Sequence, residues 1–87
     1  MISSEQIKAS RALIGWSAAE LAKRSSVGAT TLRRYEMIGG VPSANLSVLM
    51  KLKSTLEAAG IEFTGDPLVN PGVVLHLKRD TYIGPKV

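Results

Sequence analysis

The feature that most constrains this chain is a helix-start pattern that occurs twice between residues 2 and 21. In each copy a serine is followed three positions later by Glu or Gln, with apolar residues at the flanking staple positions. The boxes are Ser3 with Gln6 and Ser17 with Glu20, and the staples are Ile2 with Ile7 and Trp16 with Leu21. Two helices are therefore predicted, over about 4–14 and about 18–25, and Gly15 closes the first.

Two further helices are predicted downstream. The turn at 25–28 contains a glycine, and apolar residues then return at helical spacing, which predicts a third helix over about 29–37. Glycines at 39 and 40 and Pro42 end it. A fourth helix, capped by Ser43 or Asn45 and ending at Gly60, carries four leucines on one side. These are Leu46, Leu49, Leu52 and Leu56.

Apolar residues alternate after Gly60, which is the pattern of strands. Segments 61–64 and 73–77 are predicted as two strands separated by residues typical of turns. A two-stranded hairpin is marginal alone, so it must pack on the helices, pair with another subunit's edge or stay partly disordered. The predicted class is mainly α, with a helical domain at 1–60, a strand extension and candidate dimerisation element at 61–80, and a frayed tail at 81–87.

Composition narrows the class of protein. The chain has 87 residues and no cysteine, which excludes a disulfide scaffold and a zinc finger. It has neither an apolar run of membrane-spanning length nor a signal-peptide pattern, so we expect a cytoplasmic protein without a membrane partner. The net charge of +4 lies in residues 1–60, which hold eight bases and four acids, whereas 61–87 hold three of each. A basic helical part suits a polyanionic partner.

No pattern of catalytic or metal-binding residues has supporting context. His76 is the only histidine and lies between two leucines in a predicted strand, where a polar edge position is expected rather than a metal ligand. No Ser-His-Asp set, carboxylate pair or glycine-rich phosphate loop is placed as its chemistry would require. We therefore expect a protein that is not an enzyme and uses no metal and no cofactor.

The second and third predicted helices, with their short turn, have the pattern of a helix-turn-helix, whose second helix enters the major groove of DNA. If Val27, Leu32 and Tyr35 face inward, a helical wheel leaves Ala29 at the margin of the exposed side. The residues on that exposed side are Thr30, Arg33, Arg34 and Met37. Taken alone, the arginines are explained equally well by an ordinary solvated face.

Residues 7–22 (IKASRALIGWSAAELA) and 26–36 (SVGATTLRRYE) resemble the phage-repressor-like helix-turn-helix family, the Cro/cI-type or XRE family. The match covers roughly 3–59, and the segments LEAAGIEF and GVVLHL are similar to small bacterial members with a C-terminal strand extension. The resemblance implies a lambda-repressor-like bundle of four to five helices, with double-stranded DNA as partner. A homodimer on a palindromic operator would double the contacts of one half-site.

The resemblance also implies roles for single residues. Arg11 and Glu36 match an arginine and a glutamate that many members pair as a structural ion pair. Base contacts are expected from Thr30, Arg34 and the margin residue Ala29, with Arg34 the better candidate for guanine. Contacts to the DNA backbone are expected from Ser17, Ala18, Thr31 and Arg33. Three small residues depart from the longer or capping residues usual in the family: Ala18, Gly28 and Ala29.

Those small residues leave two other functions open. The chain could be a helix-turn-helix that binds another protein, as an antitoxin or antiactivator does, or a nucleoid-type binder without a preferred operator. Trp16 and Tyr35 are expected in the core, and Lys51 and Lys53 on the fourth helix are expected to be solvated. Val48 and Met50 suit a dimer contact and the core equally well.

Overall fold

The computed structural model describes residues 1–42 and 45–77. Within them, four α-helices precede a two-stranded antiparallel sheet, which confirms the mainly helical class and the C-terminal hairpin. The ends predicted for the first three helices agree with the structure to within one residue. In chain order the elements are α1 (Ser4–Ile14), α2 (Ala18–Ser25), α3 (Ala29–Ile38), α4 (Leu46–Ala58), β1 (Ile61–Thr64) and β2 (Gly72–Leu75). The predicted cap Ser43 and the tail 81–87 lie outside the described residues.

The start of α1 is the capping box that the sequence predicts. Ser3 Oγ accepts a hydrogen bond from Gln6 N at 3.1 Å, and Gln6 Oε1 accepts one from Ser3 N at 2.9 Å. The staple residues Ile2 and Ile7 are both fully buried. Gly15 ends the helix at a φ of +73°, a left-handed conformation in which a side chain would be strained.

The start of α2 departs from the prediction of a full box. Ser17 Oγ accepts from Glu20 N at 3.0 Å, so the serine half of the cap is present. The Glu20 carboxylate instead pairs with Arg24 one turn further along the helix. That i, i+4 spacing brings the two side chains together on the helix surface, and the arginine takes the carboxylate that would otherwise reach back to the serine.

One hydrophobic core joins the four helices to β1. Trp16 is half-buried and packs against this core, and Tyr35 is part of it, as expected. The buried members are Ile2, Ile7, Leu21, Ala22, Val27, Leu32, Tyr35, Leu49, Leu52, Leu56 and Ile61. Because α2 and α3 both contribute to it, their relative position is set by packing rather than by the turn alone.

The leucine stripe predicted for α4 is correct for three residues and wrong for Leu46. Leu49, Leu52 and Leu56 are buried, but Leu46 is 58% exposed. Leu46 is the first residue of the helix, immediately after the cap Asn45, and it lies beside Met1 and outside the core. The helix also ends at Ala58, two residues before the predicted Gly60.

The hairpin packs on the chain's own helices, with β2 against α1 and β1 against α4. Its register pairs Ile61 with Leu75 and Thr64 with Gly72. The second strand therefore covers Gly72–Leu75 instead of the predicted 73–77. The strand ends at Leu75 because its partner, Ile61, is the first residue of β1. The next amide, that of His76, donates to the carbonyl of Gly60, which precedes β1, at 2.7 Å.

Gln6 ties the hairpin to the start of α1. Its Nε2 donates to the carbonyl oxygens of Thr64 and Gly72, at 3.2 and 3.0 Å, while its Oε1 holds the amide of Ser3. The side chain is only 2% exposed. Because unpaired buried polar groups are costly, this amide specifies where the loop end of the hairpin sits on the helices.

Candidate nucleic-acid interface

The turn between α2 and α3 consists of residues 26–28 and is fixed by the backbone. Ser26 adopts a left-handed conformation, with a φ of +60°, which reverses the chain after α2. The amide of Val27 donates to the carbonyl of Ala22 at 3.1 Å, and the Val27 side chain is buried. Two short helices are therefore held as one rigid pair, which is the geometry that a helix-turn-helix requires.

The helix α3 has one buried and one exposed side. Leu32 and Tyr35 are buried, together with Glu36, which is 8% exposed. The exposed residues are Ala29, Thr30, Arg33, Arg34, Met37 and the last residue, Ile38, and Thr31 is half-buried. The division predicted from the helical wheel is therefore the one that the structure has, and α3 presents Thr30, Arg33 and Arg34 to solvent.

The exposed side of α3 carries positive charge without a compensating acid. Within the described residues, no carboxylate oxygen lies within 4.0 Å of Arg33 or Arg34. The only acidic residue of α3 is Glu36, and its carboxylate is turned toward Arg11. Two guanidinium groups on neighbouring residues, neither paired with an acid of the described part of the chain, attract an anion locally, and this attraction falls with added salt.

The starts of α2 and α3 add backbone donors. The first N–H groups of any helix lack intrahelical partners and carry partial positive charge. At α2 the hydroxyl of Ser17 uses one of these groups, and Ala18 is half-buried next to it. At α3 the cap is Gly28, which has no side chain to offer, so the first-turn amides of α3 are not capped by it. Both helix starts can donate to a phosphate oxygen.

Arg11 and Glu36, expected from the sequence as an ion pair, are in direct contact. The guanidinium meets the carboxylate at two points, and its Nη1 also donates to the carbonyl of Trp16 at 3.1 Å. Trp16 immediately precedes the Ser17 cap, so one side chain connects α1, the entry to α2, and α3. The hydrogen bonds from Arg11 to Glu36 raise the pKa of Arg11 above its ordinary value.

Trp16 and Arg24 form a second contact that the sequence did not predict. The Arg24 guanidinium lies over the indole ring, 4.5 Å from its centroid, and also pairs with Glu20. This cation–π arrangement covers one face of Trp16. The i, i+4 spacing of Glu20 and Arg24 was the sequence signal for this arrangement, but Glu20 was predicted to belong to the capping box of Ser17. Arg24 is consequently occupied, whereas Lys23 beside it has no carboxylate within 4.0 Å among the described residues.

The remaining candidate residues lie away from this helix pair in sequence, on α4 and the hairpin. Lys51 is exposed, and Lys53 pairs with Glu57 at 2.9 Å. Val48 packs against the core, whereas Met50 is exposed. The two residues, for which the sequence favoured the core and a dimer contact equally, therefore differ in burial. His76 is exposed at the end of β2, with its Nε2 2.6 Å from Glu62 Oε1.

Residues 1–42 and 45–77 show neither a cluster of metal ligands nor a membrane-spanning helix. These residues contain no group of three or more His, Cys, Asp or Glu side chains that could hold a metal ion. None of the helices in this part of the chain is both long enough and apolar enough to cross a bilayer.

Comparison with models of known protein families gives no match, and a search among curated proteins finds no relative of this chain.

Proposed function

We propose that this chain is a sequence-specific regulator of transcription that binds double-stranded DNA through the helix pair α2–α3. The observation that carries the proposal is the exposed side of α3, where Arg33 and Arg34 have no acidic partner among the described residues. An α-helix fits the major groove, and arginine is the side chain that most often reads guanine there. The rigid turn at 26–28 supports a fixed docking angle.

In the proposed complex the start of α3 points into the groove. Arg34 donates to O6 and N7 of a guanine, Thr30 contacts a neighbouring base, and Ala29 packs on a thymine methyl group. Arg33 and Thr31 contact the DNA backbone. The start of α2, at Ser17 and Ala18, donates backbone amides to a phosphate. Specificity then depends on few side chains, because Gly28 and Ala29 offer no polar atoms beyond the backbone.

The resemblance to the Cro/cI-type family extends this proposal to the architecture. We propose that the four described helices form the helical part of a lambda-repressor-like bundle, with α2 and α3 as its reading unit. A single half-site read by so few polar side chains gives little discrimination, so we propose that two copies bind a palindromic operator. The half-sites would be one helical turn apart, about 10 bp. The protein would act from the cytoplasm without a cofactor.

A gel-shift assay with the DNA upstream of the coding sequence tests the proposal. At ~50 mM salt, where phosphate contacts are strongest, wild-type protein should shift this DNA and unrelated DNA should compete poorly. The double variant Arg33→Ala, Arg34→Ala should lose the shift, whereas Lys51→Ala, which removes an exposed lysine of α4, should retain it. Absence of any shift at this salt concentration contradicts the proposal. A shift without sequence preference indicates a nucleoid-type binder instead.

A second candidate function is a protein-interaction module, such as an antitoxin or antiactivator. The observation that favours it is Met37, which is 80% exposed on the same side of α3 as the arginines. A large exposed apolar side chain, on a helix pair that also carries the small residues Ala18 and Ala29, suits a protein surface better than a phosphate backbone. If the chain acts in this way, Met37→Glu abolishes its effect in cells, while Arg34→Ala preserves it.

A further inference from the structure

Three exposed apolar side chains from two distant parts of the chain meet at the first turns of α4. Met1, Leu46 and Met50 border one small depression, whose floor is formed by the buried side chains of Ile2 and Leu49. Leu46 and Met50 are 58% and 59% exposed, and they lie one helical turn apart on α4. We call Met1, Leu46 and Met50 the α4 face.

The side chains of the α4 face are not part of the hydrophobic core. The side of α4 that packs inward is the stripe of Leu49, Leu52 and Leu56, all buried. Leu46 and Met50 form a second apolar stripe on the same helix, and a helix that is apolar on two sides is typical of one that packs against two neighbours. Among the described residues, the main packing partners of α4 are α2 and β1.

The charges at the border of the α4 face favour a second copy as its neighbour. Copies of a chain with a net charge of +4 repel one another unless they meet where the charge is balanced. Lys53 borders the α4 face, and its ammonium group is neutralised by Glu57 on the same helix. On the side of α3 that carries Arg33 and Arg34, by contrast, two copies would meet cation to cation.

We propose that the α4 face is the contact between two copies of this chain. A twofold axis passing between Leu46 and Met50 makes the contact self-complementary, because Leu46 of one copy then packs on Met50 of the other, and the reverse. Met1 of each copy covers the edge of the contact. The choice of a second copy rests on the proposed function, which requires two reading helices. The hairpin, the alternative dimerisation element, is already packed on α1 and α4.

Sedimentation over a range of protein concentrations tests the contact directly. Wild-type protein should shift from monomer to dimer as its concentration rises, and Met50→Glu should remain monomeric at every concentration. Val69→Glu is the matched control, because Val69 is an equally apolar and even more exposed residue in the hairpin loop, and this variant should dimerise like wild type. A wild-type monomer at the highest concentration, or equal loss of dimer in both variants, overturns the inference.

Disulfide cross-linking tests the pairing itself, because the natural chain has no cysteine. When the Leu46→Cys and Met50→Cys variants are mixed and oxidised, the cross-linked product between the two variants should exceed the product of either variant with itself. Equal amounts of the three products, or cross-linking to Val69→Cys at the same rate, contradict the proposed axis. A dimer that passes both tests but does not bind DNA retains this contact and refutes the proposed function alone.

Discussion

Arg11 and Glu36 join α1 to α3 through two hydrogen bonds of 2.7 Å, from Nε to Oε2 and from Nη2 to Oε1. The same guanidinium donates to the carbonyl of Trp16, at the entry to α2. The contact therefore sets three elements relative to one another, including both helices of the candidate interface. Its glutamate is nearly buried, so the loss of either partner leaves a charge that water cannot fully solvate.

The first prediction concerns this contact. Glu36→Gln should lower the free energy of unfolding by about 2 kcal/mol, because it leaves the Arg11 charge half-buried beside a neutral amide. The control is Glu20→Gln, which breaks the exposed pair with Arg24 and should cost no more than about 0.5 kcal/mol. Urea denaturation measures both values. A Glu36→Gln variant with wild-type stability and wild-type DNA affinity would show that the pair has no structural role.

The second prediction uses two glycines that receive the same substitution. Gly28 has a φ of −59°, and an added Cβ would lie 3.8 Å from Thr31 Oγ1, so a serine fits there and can cap α3. Gly28→Ser should therefore stabilise the fold by about 0.5 kcal/mol. Gly15 has open space around it but a φ of +73°, so Gly15→Ser should destabilise by about 1 kcal/mol. Thermal unfolding of the two variants should show midpoints that move in opposite directions.

The third prediction concerns acid sensitivity. Hydrogen bonds from its own backbone amide and from the amide of Gly40 lower the pKa of Glu5 below 4.5. A carboxyl group with a lowered pKa in the folded state stabilises the protein above its unfolded pKa, and this contribution is lost as the pH falls through the folded pKa. Wild type should therefore be more stable than Glu5→Gln near neutral pH, and the difference should close below about pH 4.5.

Thermal midpoints measured from about pH 6 to about pH 3 check this prediction. Glu57→Gln is the comparison variant, because Glu57 is an exposed carboxylate paired with Lys53 and makes no contact with Gly40. If the curves of wild type and Glu5→Gln stay parallel through this range, Glu5 does not stabilise the connection after α3.

The bounds of the first three helices could be predicted from the sequence because their signals are local. The cap at Ser3, the cap at Ser17 and the positive φ of Gly15 depend on residues within one turn of the helix end. The sequence failed where distant parts of the chain decide. Leu46 fits the leucine stripe by spacing, but the core does not extend to the first turn of α4. The end of β2 likewise depends on where β1 begins, because Leu75 pairs with Ile61.

The candidate site was also predictable only in part. The exposed side of α3 followed from helical periodicity, since Leu32 and Tyr35 fix which side is buried. The contact between Arg11 and Glu36 was expected from the family resemblance and could not be located by spacing, because the residues lie on different helices. The contact of Arg24 with Trp16 was not predicted. Glu20 has two possible partners, the backbone of Ser17 and the side chain of Arg24, and the sequence does not show which of them it takes.

The fourth prediction separates the two arginines of α3. Arg34→Ala should reduce the preference for the operator, because a two-point contact with guanine discriminates by about 1–3 kcal/mol. Arg33→Ala should weaken binding to all sequences by a similar factor and make the logarithm of affinity less dependent on the logarithm of salt concentration. Binding titrations on operator and unrelated DNA at several salt concentrations measure both effects. The reverse pattern would exchange the two roles.

The central claim is that α3 reads DNA sequence, and selection of bound sites from a pool of random double-stranded DNA tests it most directly. The account predicts an enriched motif that contains guanine, is palindromic with half-sites about 10 bp apart, and loses its guanine preference in the Arg34→Ala variant. A pool that shows no enrichment after repeated selection at ~50 mM salt, or an enriched motif that Arg34→Ala leaves unchanged, would contradict it.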